Sequence, residues 1–266
     1  MNAANQRYVP RAAPPIRALE RGVAVLRAFR PGSELLGNGE LAERTGLSRA
    51  TVSRLSQTLL RAGYLEYEPA QRAYRLGAAV LSLGHAMRTG SSVLRVATPL
   101  MHGLARKMRI NVGLAVRDGD EMVYLESFRF NVRTAQRLIV SGHRVPIELT
   151  SLGRAWFAAA AEPDRAALLA RLKARGRKRW PAIEAAIAEA ASSVERRGFC
   201  YATWQPQVVA LAAPIVVAPR PIHVLNVSVT SDAAAATVVR TLEAPLRKLA
   251  GEIQQAIAAL DAQDHE

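Results

Sequence analysis

Two short runs of helical periodicity around a single glycine constrain the fold of this chain more than any other feature of its sequence. The runs span Gly39–Thr45 and Arg49–Arg61, and Gly46 lies between them, where a left-handed backbone costs little only for glycine. Ser48 precedes the second run and can accept a hydrogen bond from its first free N–H groups. The pattern predicts a helix-turn-helix buried through its apolar residues, which are Leu41, Ala42, Leu47, Val52, Leu55 and Leu59.

The outer face of the second helix carries small, hydroxyl, amide and guanidinium side chains. No Asp or Glu occurs from 47 to 62, although a solvated helix face ordinarily carries acidic residues. Guanidinium groups donate paired hydrogen bonds to phosphates and guanine, and hydroxyl and amide groups reach base edges in the major groove. The alternative is a two-helix hairpin with a polar face that binds nothing. We expect a DNA-contacting surface made by Ser48, Arg49, Ala50, Thr51, Ser53, Arg54 and Gln57.

A β-hairpin is predicted directly after this helix. Leu65–Tyr67 and Ala73–Arg75 alternate like strands around a polar tip, which makes the segment a winged helix-turn-helix. Arg72 at the tip is expected to contact the DNA backbone or minor groove. The formal net charge is +14, and residues 1–90 hold 13 Arg, no Lys and 6 Glu. Such a chain usually meets a polyanion, either nucleic acid or an anionic membrane surface, although a basic proteome would also produce this charge.

The remaining sequence predicts a second, larger domain. Residues 1–15 are expected to be a flexible tail without a secretory signal, 16–76 the winged helix-turn-helix domain and 77–90 a linker helix. Residues 91–262 alternate between strand-like and helical patterns, including a short strand at Leu138–Val140 and a final helix that Pro245 should kink. This order predicts an α+β domain with a mainly antiparallel sheet.

The sequence shows no motif of an enzyme or a metal site. A nucleophile elbow, a zinc-protease motif, a P-loop and a dinucleotide-binding glycine motif are all absent, and the five histidines have no ligand spacing. We therefore expect no catalytic residue, no metal and no cofactor. The single cysteine and the lack of an apolar run of about 18 residues indicate a cytoplasmic protein that makes no membrane contact. The competing interpretation is a ligand-binding or hydrolytic enzyme domain with an accessory helix-turn-helix.

Several blocks in a fixed order resemble the IclR family of bacterial transcriptional regulators. They are LAERTGLSRATVSRLSQTLLRAGYLEYEPAQRAYRLG at 41–77, LSLG at 81–84, TSLGRA at 150–155, GFCYA at 198–202 and ALAAPIVV at 210–217. The resemblance implies a GAF-like domain that binds an effector and oligomerises. It also implies a homodimer or homotetramer, a palindromic operator in double-stranded DNA, and a small organic acid or aromatic metabolite that alters DNA binding to repress or activate transcription.

The TSLGRA block is the expected start of the effector site. Thr150 is a good N-cap, and the N–H groups that follow can bind a carboxylate, with Gly153 allowing close approach. A capped helix that binds nothing is the alternative. The resemblance adds positions on the strands near GFCYA, and the expected effector-binding residues are Thr150, Ser151, Leu152, Gly153, Ala202, Trp204 and Ala210.

This chain departs from the family around the first of those strands. Relatives often carry acidic residues there, whereas this sequence continues with Thr203-Trp204-Gln205 and is shorter by about two residues. We therefore expect a ligand with an apolar or aromatic body and one carboxylate. A separate basic run at 171–179 is expected to be a solvated helix end rather than a second nucleic-acid contact.

Overall fold

The computed structural model describes residues 14–130, 140–176 and 178–263, and the chain divides into two compact units between Met87 and Arg88. Most of the tail predicted at 1–15 lies outside the described residues. The strand predicted at Leu138–Val140 also lies outside them, except for Val140, which belongs to no strand.

The first unit is a winged helix-turn-helix, as the sequence predicts. Its elements are α1 (Arg17–Arg27), β1 (Leu36–Gly37), α2 (Asn38–Thr45), α3 (Arg49–Arg61), β2 (Leu65–Glu68), β3 (Ala73–Leu76) and α4 (Ala78–Thr89), the last of which crosses the boundary between units. The three strands pair antiparallel in the order β1-β3-β2. The two-residue strand β1 was not expected, because its only signal is its pairing with β3.

A small apolar core holds the helices of the first unit on its sheet. Val25 of α1, Leu41 of α2 and Val52 of α3 are completely buried, and Leu36 and Leu65 of the sheet are 1% exposed. Burial of each such side chain stabilises the fold by about 1.5–3 kcal/mol. Because Val52 points inward, the opposite face of α3 is left outside.

The second unit is built on a six-stranded sheet. Its strands are β4 (Asn111–Asp118), β5 (Glu121–Phe128), β6 (Arg144–Pro146), β7 (Cys200–Gln205), β8 (Val208–Ile215) and β9 (His223–Thr230). They lie in the order β6-β5-β4-β9-β8-β7, and every neighbouring pair is antiparallel, which confirms the predicted α+β architecture. Its helices are α5 (Ser92–Met108), α6 (Ser151–Ala159), α7 (Glu162–Lys173), α8 (Trp180–Arg197) and α9 (Ala235–Gln263).

Helices cover both faces of this sheet. The apolar sides of α5 and α9 pack on one face around Leu114 and Leu225, and we call this the α5/α9 face. The other face, the α6/α8 face, packs α6, α7 and α8 around Ala115 and Val224. Helix α9 continues through Pro245, where the sequence predicts a kink.

A β-bulge in β5 changes which side chains point to each face. Leu114 pairs with Glu126 and Ala115 pairs with Tyr124, so Leu125 is an extra residue in the ladder. Residues that pair across an antiparallel ladder share a face. Tyr124 therefore points with Ala115 to the α6/α8 face, and Glu126 points with Leu114 to the α5/α9 face.

Candidate nucleic-acid interface and ligand site

The turn between α2 and α3 has the local geometry that the sequence predicts. Gly46 ends α2 with a φ of 68° in the left-handed region. Ser48 caps α3, and its Oγ accepts a hydrogen bond from the Thr51 N–H at 3.2 Å. The hydroxyl groups of Ser48 and Thr51 also lie 2.9 Å apart, so the cap holds both side chains at the start of the helix.

The structure places the expected DNA-contacting residues on the outer side of α3. Val52 and Ser56 face inward and are completely buried. Ser48, Ala50 and the longer polar side chains are exposed, whereas Thr51 and Ser53 are half-buried. The exposed polar side chains that reach furthest from the helix are Arg49, Arg54 and Gln57.

The arginines of the first unit differ in their surroundings. Arg44 donates hydrogen bonds to the Ala28 carbonyl at 3.0 Å and to Ser33 Oγ at 3.1 Å, and Arg75 pairs with Glu66 at 2.9 Å. These two stabilise the unit itself. Arg49, Arg54 and Arg72 are among the exposed arginines for which the described residues provide no ion-pair partner. Their charges are available for an external anion.

Arg72 occupies the tip of the wing between β2 and β3. It is exposed and has a φ of 50°, which is uncommon for a residue other than glycine. Its N–H donates to the Pro69 carbonyl at 3.3 Å, which closes the turn. One pair further from the tip than Glu68 and Ala73, the rings of Tyr67 and Tyr74 lie 5.2 Å apart. The hairpin therefore presents one guanidinium at its end.

The basic run at 171–179 is partly neutralised by neighbouring acids. Arg171 and Arg175 both pair with Asp120 in the turn between β4 and β5, the former at 2.9 Å. The Lys173 ammonium lies 4.0 Å from a Glu184 carboxylate oxygen. These pairs support the solvated helix end rather than a second nucleic-acid contact.

The start of α6 lies on the sheet of the second unit. Thr150 is the N-cap: its Oγ1 accepts from the Gly153 N–H at 3.3 Å and donates to the Pro146 carbonyl at 2.9 Å. Thr150 is 3% exposed and Ser151 is 1% exposed. The cap satisfies one of the free N–H groups and leaves those of Ser151 and Leu152 without an intrahelical acceptor.

Gly153 has a different role from the one its sequence position suggests. A Cβ atom at this position would lie 1.8 Å from the Ile147 carbonyl oxygen, so the backbone before α6 already occupies the space above Gly153. The glycine therefore permits close packing of two protein segments, and the close approach expected of a ligand is made by Ile147. Leu152 is likewise a core residue, 1% exposed on the α6/α8 face.

The strand positions expected in the ligand site lie together on the same α6/α8 face. Ala202 of β7 pairs with Ala210 of β8, and both are buried. Trp204 is half-buried against the same core, beyond an irregularity in the β7–β8 pairing. Cys200 Sγ lies 3.5 Å from the Ser151 carbonyl oxygen, which joins β7 to the start of α6.

Three further residues of this face were not predicted from the sequence. A Cβ atom on Gly113 would lie 2.4 Å from Tyr124 Cε1 and 2.6 Å from Asn226 Oδ1, so these two side chains meet above the glycine. Asn226 is 5% exposed, and its Oδ1 has no hydrogen-bond partner among the described residues. Burial raises the pKa of Tyr124 to about 12, so the phenol is a hydrogen-bond donor at neutral pH. Alternation along a strand could have predicted that these residues share a face only if the pairing of β4 with β5 and β9 had been known.

Burial also shifts the pKa of two titratable groups close to the start of α6. Burial raises the pKa of the Cys200 thiol to about 12 and outweighs the nearby positive charge of Arg154, so the thiol is protonated at neutral pH. Burial also lowers the pKa of Arg154. The described residues contain no group of three His, Cys, Asp or Glu side chains that could hold a metal ion. In the same part of the chain, no helix has the length and apolar character needed to cross a membrane.

Both units match domains of one protein family. Residues 18–69 match the IclR helix-turn-helix domain, and residues 85–255 match the domain described as bacterial transcriptional regulator IclR C-terminal. A similar protein is the HTH-type transcriptional regulator TsaQ1/TsaQ2 of Comamonas testosteroni, 34% identical over 187 residues that cover 69% of this chain and 66% of that protein. The p-hydroxybenzoate hydroxylase transcriptional activator of Acinetobacter baylyi is 26% identical over 217 residues, 76% of each chain.

A solved structure has the same architecture over nearly the whole chain. It is the IclR family transcriptional regulator from Brucella abortus, with a TM-score of 0.82 and 34% sequence identity. The match covers 91% of this chain and 92% of that one.

We predict that Gly153→Ala lowers the free energy of unfolding of the second unit by at least about 1 kcal/mol, because the added methyl group would overlap the Ile147 carbonyl. Gly251→Ala in α9 is the control. No atom lies within 4 Å of a Cβ there, so this change should stabilise the helix by about 0.5–1 kcal/mol. Urea unfolding measures both, and equal stability of the two variants would contradict the packing role.

Proposed function

The chain belongs to the IclR family of bacterial transcriptional regulators, and on this premise we propose that it binds an operator through α3 and the wing under the control of a small organic acid. Because the family and the matched relatives are transcriptional regulators, the chain is a regulator and not an enzyme with an accessory helix-turn-helix. In this proposal residues 16–76 bind DNA, 77–90 form a linker helix, and 91–262 bind the effector and take part in oligomerisation. The proposed location is the cytoplasm, where the operator DNA lies.

The unpaired arginines of the first unit are the observation that carries the DNA-binding proposal. Arg49 and Arg54 project from the exposed face of α3, and Arg72 stands at the wing tip. Arg54 and Gln57 are best placed for base edges in the major groove, and Arg72 for the backbone or minor groove. Ser48, Ala50, Thr51 and Ser53 lie on the same helix face and complete the proposed contact set.

An apolar groove on the first unit supports a homodimer. The groove has a volume of about 970 Å³ and lies between α1 and α3, with Leu83 of α4 at its edge; its α3 side includes Thr51, Ser53, Arg54 and Gln57 of the proposed DNA-contacting set. On its other side Leu19 is 65% exposed, Val23 is 41% exposed and Leu83 is 57% exposed, which is unusual for a cluster of large apolar side chains. A second copy that covers these three apolar side chains and leaves the α3 side open to DNA would bring two α3 helices onto half-sites of a palindrome, about 34 Å apart. Pairing of two dimers would give the tetramer.

The α6/α8 face of the second unit supports an effector with an apolar or aromatic body. Ala202 and Ala210 are small buried side chains on this face, Trp204 offers an aromatic contact, and the N–H groups of Ser151 and Leu152, which have no acceptor within the helix, suit a carboxylate. The name of the Acinetobacter relative links that protein to p-hydroxybenzoate metabolism, which makes p-hydroxybenzoate the first compound to test. Gly153 takes part through packing alone.

Arg54→Ala should weaken operator binding by about 1–3 kcal/mol, because it removes a guanidinium that contacts a base. Arg61→Ala, at the last residue of α3 and also exposed, should change the affinity by less than about 0.5 kcal/mol. Fluorescence anisotropy with DNA from upstream of the gene, across a salt series, measures both. If Arg54→Ala binds as tightly as the unaltered chain, Arg54 makes no contact with the operator.

Leu19→Glu should dissociate the dimer, raising its dissociation constant by at least ~30-fold, because an unpaired carboxylate would enter an apolar interface. Val216→Glu places the same group on a residue of the second unit that is 47% exposed and should leave the dimer intact. Sedimentation velocity distinguishes these outcomes. A dimer unaffected by Leu19→Glu would place the interface elsewhere.

Trp204→Ala should weaken p-hydroxybenzoate binding about 10-fold, because it removes the aromatic contact of the proposed pocket. Tyr201→Ala, on the same strand but on an outward side chain that is 43% exposed, should leave the affinity unchanged. Titration calorimetry with p-hydroxybenzoate, benzoate, oxalate and malonate tests the ligand class at the same time. Binding confined to the last two acids would contradict an apolar pocket.

A further inference from the structure

Arg88, near the C-terminal end of α4, makes a set of hydrogen bonds to β5 and to the segment before β6. Arg88, the penultimate residue of α4, donates from Nη1 to the Leu125 carbonyl at 2.5 Å and to Ser141 Oγ at 2.7 Å. Its Nη2 donates to Glu126 Oε2 at 2.6 Å. Ser141 Oγ in turn donates to Glu126 Oε1 at 3.2 Å, which closes a ring of polar contacts. We call these four residues the Arg88 clamp.

The clamp depends on the β-bulge of β5. Leu125 is the extra residue of the bulge, and a bulge leaves its extra residue out of the regular ladder. The Leu125 carbonyl therefore accepts from a side chain, and Arg88 is the donor. The same bulge turns Glu126 to the α5/α9 face, where its side chain is only 11% exposed beside Arg88. In a regular strand, Glu126 would point with Tyr124 to the α6/α8 face.

Polar contacts are what hold the end of α4, because apolar packing contributes little to it. No residue of α4 is buried, and Leu81, Leu83 and Met87 are exposed. The Glu126 carboxylate is enclosed and also accepts from the Ser127 N–H at 2.9 Å. Loss of the guanidinium would leave this carboxylate without its charged partner, which is costly for an enclosed charge.

The bulge also joins the clamp to the proposed ligand site. Tyr124 precedes Leu125 and points to the α6/α8 face, where it meets Asn226 above Gly113. The backbone of Tyr124 bonds the segment that carries Ser141: its carbonyl accepts from the Gly142 N–H at 2.7 Å, and its N–H donates to the His143 carbonyl at 2.9 Å. A displacement of Tyr124 would therefore move two acceptors of Arg88: the carbonyl of the next residue, Leu125, and the hydroxyl of Ser141, which precedes Gly142.

We infer that the Arg88 clamp is the coupling element through which the ligand state of the α6/α8 face reaches α4 and the DNA-binding unit. The inference rests on the proposed function and adds to it the residues that carry the regulation. A ligand that displaces Tyr124 alters the positions of the Leu125 carbonyl and of Glu126, and therefore the strength of the clamp. The ligand acts because it prefers one state of the clamp to the other.

The test compares four full-length proteins: the unaltered chain, Arg88→Ala, Glu126→Gln and Arg95→Ala. Arg95 is an exposed arginine of α5 and matches the loss of charge in Arg88→Ala. Three quantities are measured for each protein: the affinity for p-hydroxybenzoate by calorimetry, the operator affinity with and without that compound, and hydrogen exchange of the amides in the last turn of α4 without it.

For the unaltered chain and Arg95→Ala, we expect p-hydroxybenzoate to change operator affinity by a factor within about 5–150. In Arg88→Ala, p-hydroxybenzoate should change operator affinity by less than about 2-fold, and in Glu126→Gln the change should be intermediate. The affinity of both variants for p-hydroxybenzoate should stay within about 3-fold of that of the unaltered chain. A full response in Arg88→Ala would overturn the inference.

The ligand-free measurements separate failure of the clamp from failure of the effector proposal. If p-hydroxybenzoate has no effect on the unaltered chain, the proposed effector class is contradicted, and the clamp is judged without ligand. Arg88→Ala must then speed exchange at the end of α4 and change operator affinity at least ~3-fold relative to Arg95→Ala. Unchanged exchange or unchanged operator affinity would each overturn the inference.

Discussion

The burial of Val52 against α1 and the sheet is the interaction on which the DNA-binding surface depends. A helix has one orientation once an inward residue is fixed, so burial of Val52 and Ser56 determines that Arg49, Arg54 and Gln57 lie outside. Gly46 and the Ser48 cap set the angle at which the helix begins. The same apolar contact therefore stabilises the unit and selects the side chains that meet DNA.

The arginines with a structural role and those expected to bind DNA differ in their partners. Arginines that stabilise the protein are matched to nearby acceptors, as Arg44 and Arg75 are in the first unit and Arg88 is in the second. Those expected to contact DNA lack a partner among the described residues. A high net charge alone does not make this distinction, because it counts both kinds of arginine equally.

The sheet of the second unit separates two tasks. Its α6/α8 face combines small strand residues, the start of α6 and the Tyr124–Asn226 pair, which suits a ligand with an apolar body. Its α5/α9 face carries the core of α5 and α9 and the acceptors of Arg88. The bulge at Leu125 places Tyr124 and Glu126, which are two residues apart, on opposite faces. A regular strand would have left Glu126 on the ligand side.

The sequence by itself determined the helices, the helix-turn-helix and its outer face, because helical periodicity, caps and glycine turns are local signals. It also indicated most strands and the start of α6 at Thr150. Only the tertiary structure decided β1 and β6, the bulge at Leu125, the packing of Ile147 on Gly153 and the meeting of Tyr124 with Asn226. Each of these requires a strand register or a contact between distant segments, and neither leaves a periodic pattern in the sequence.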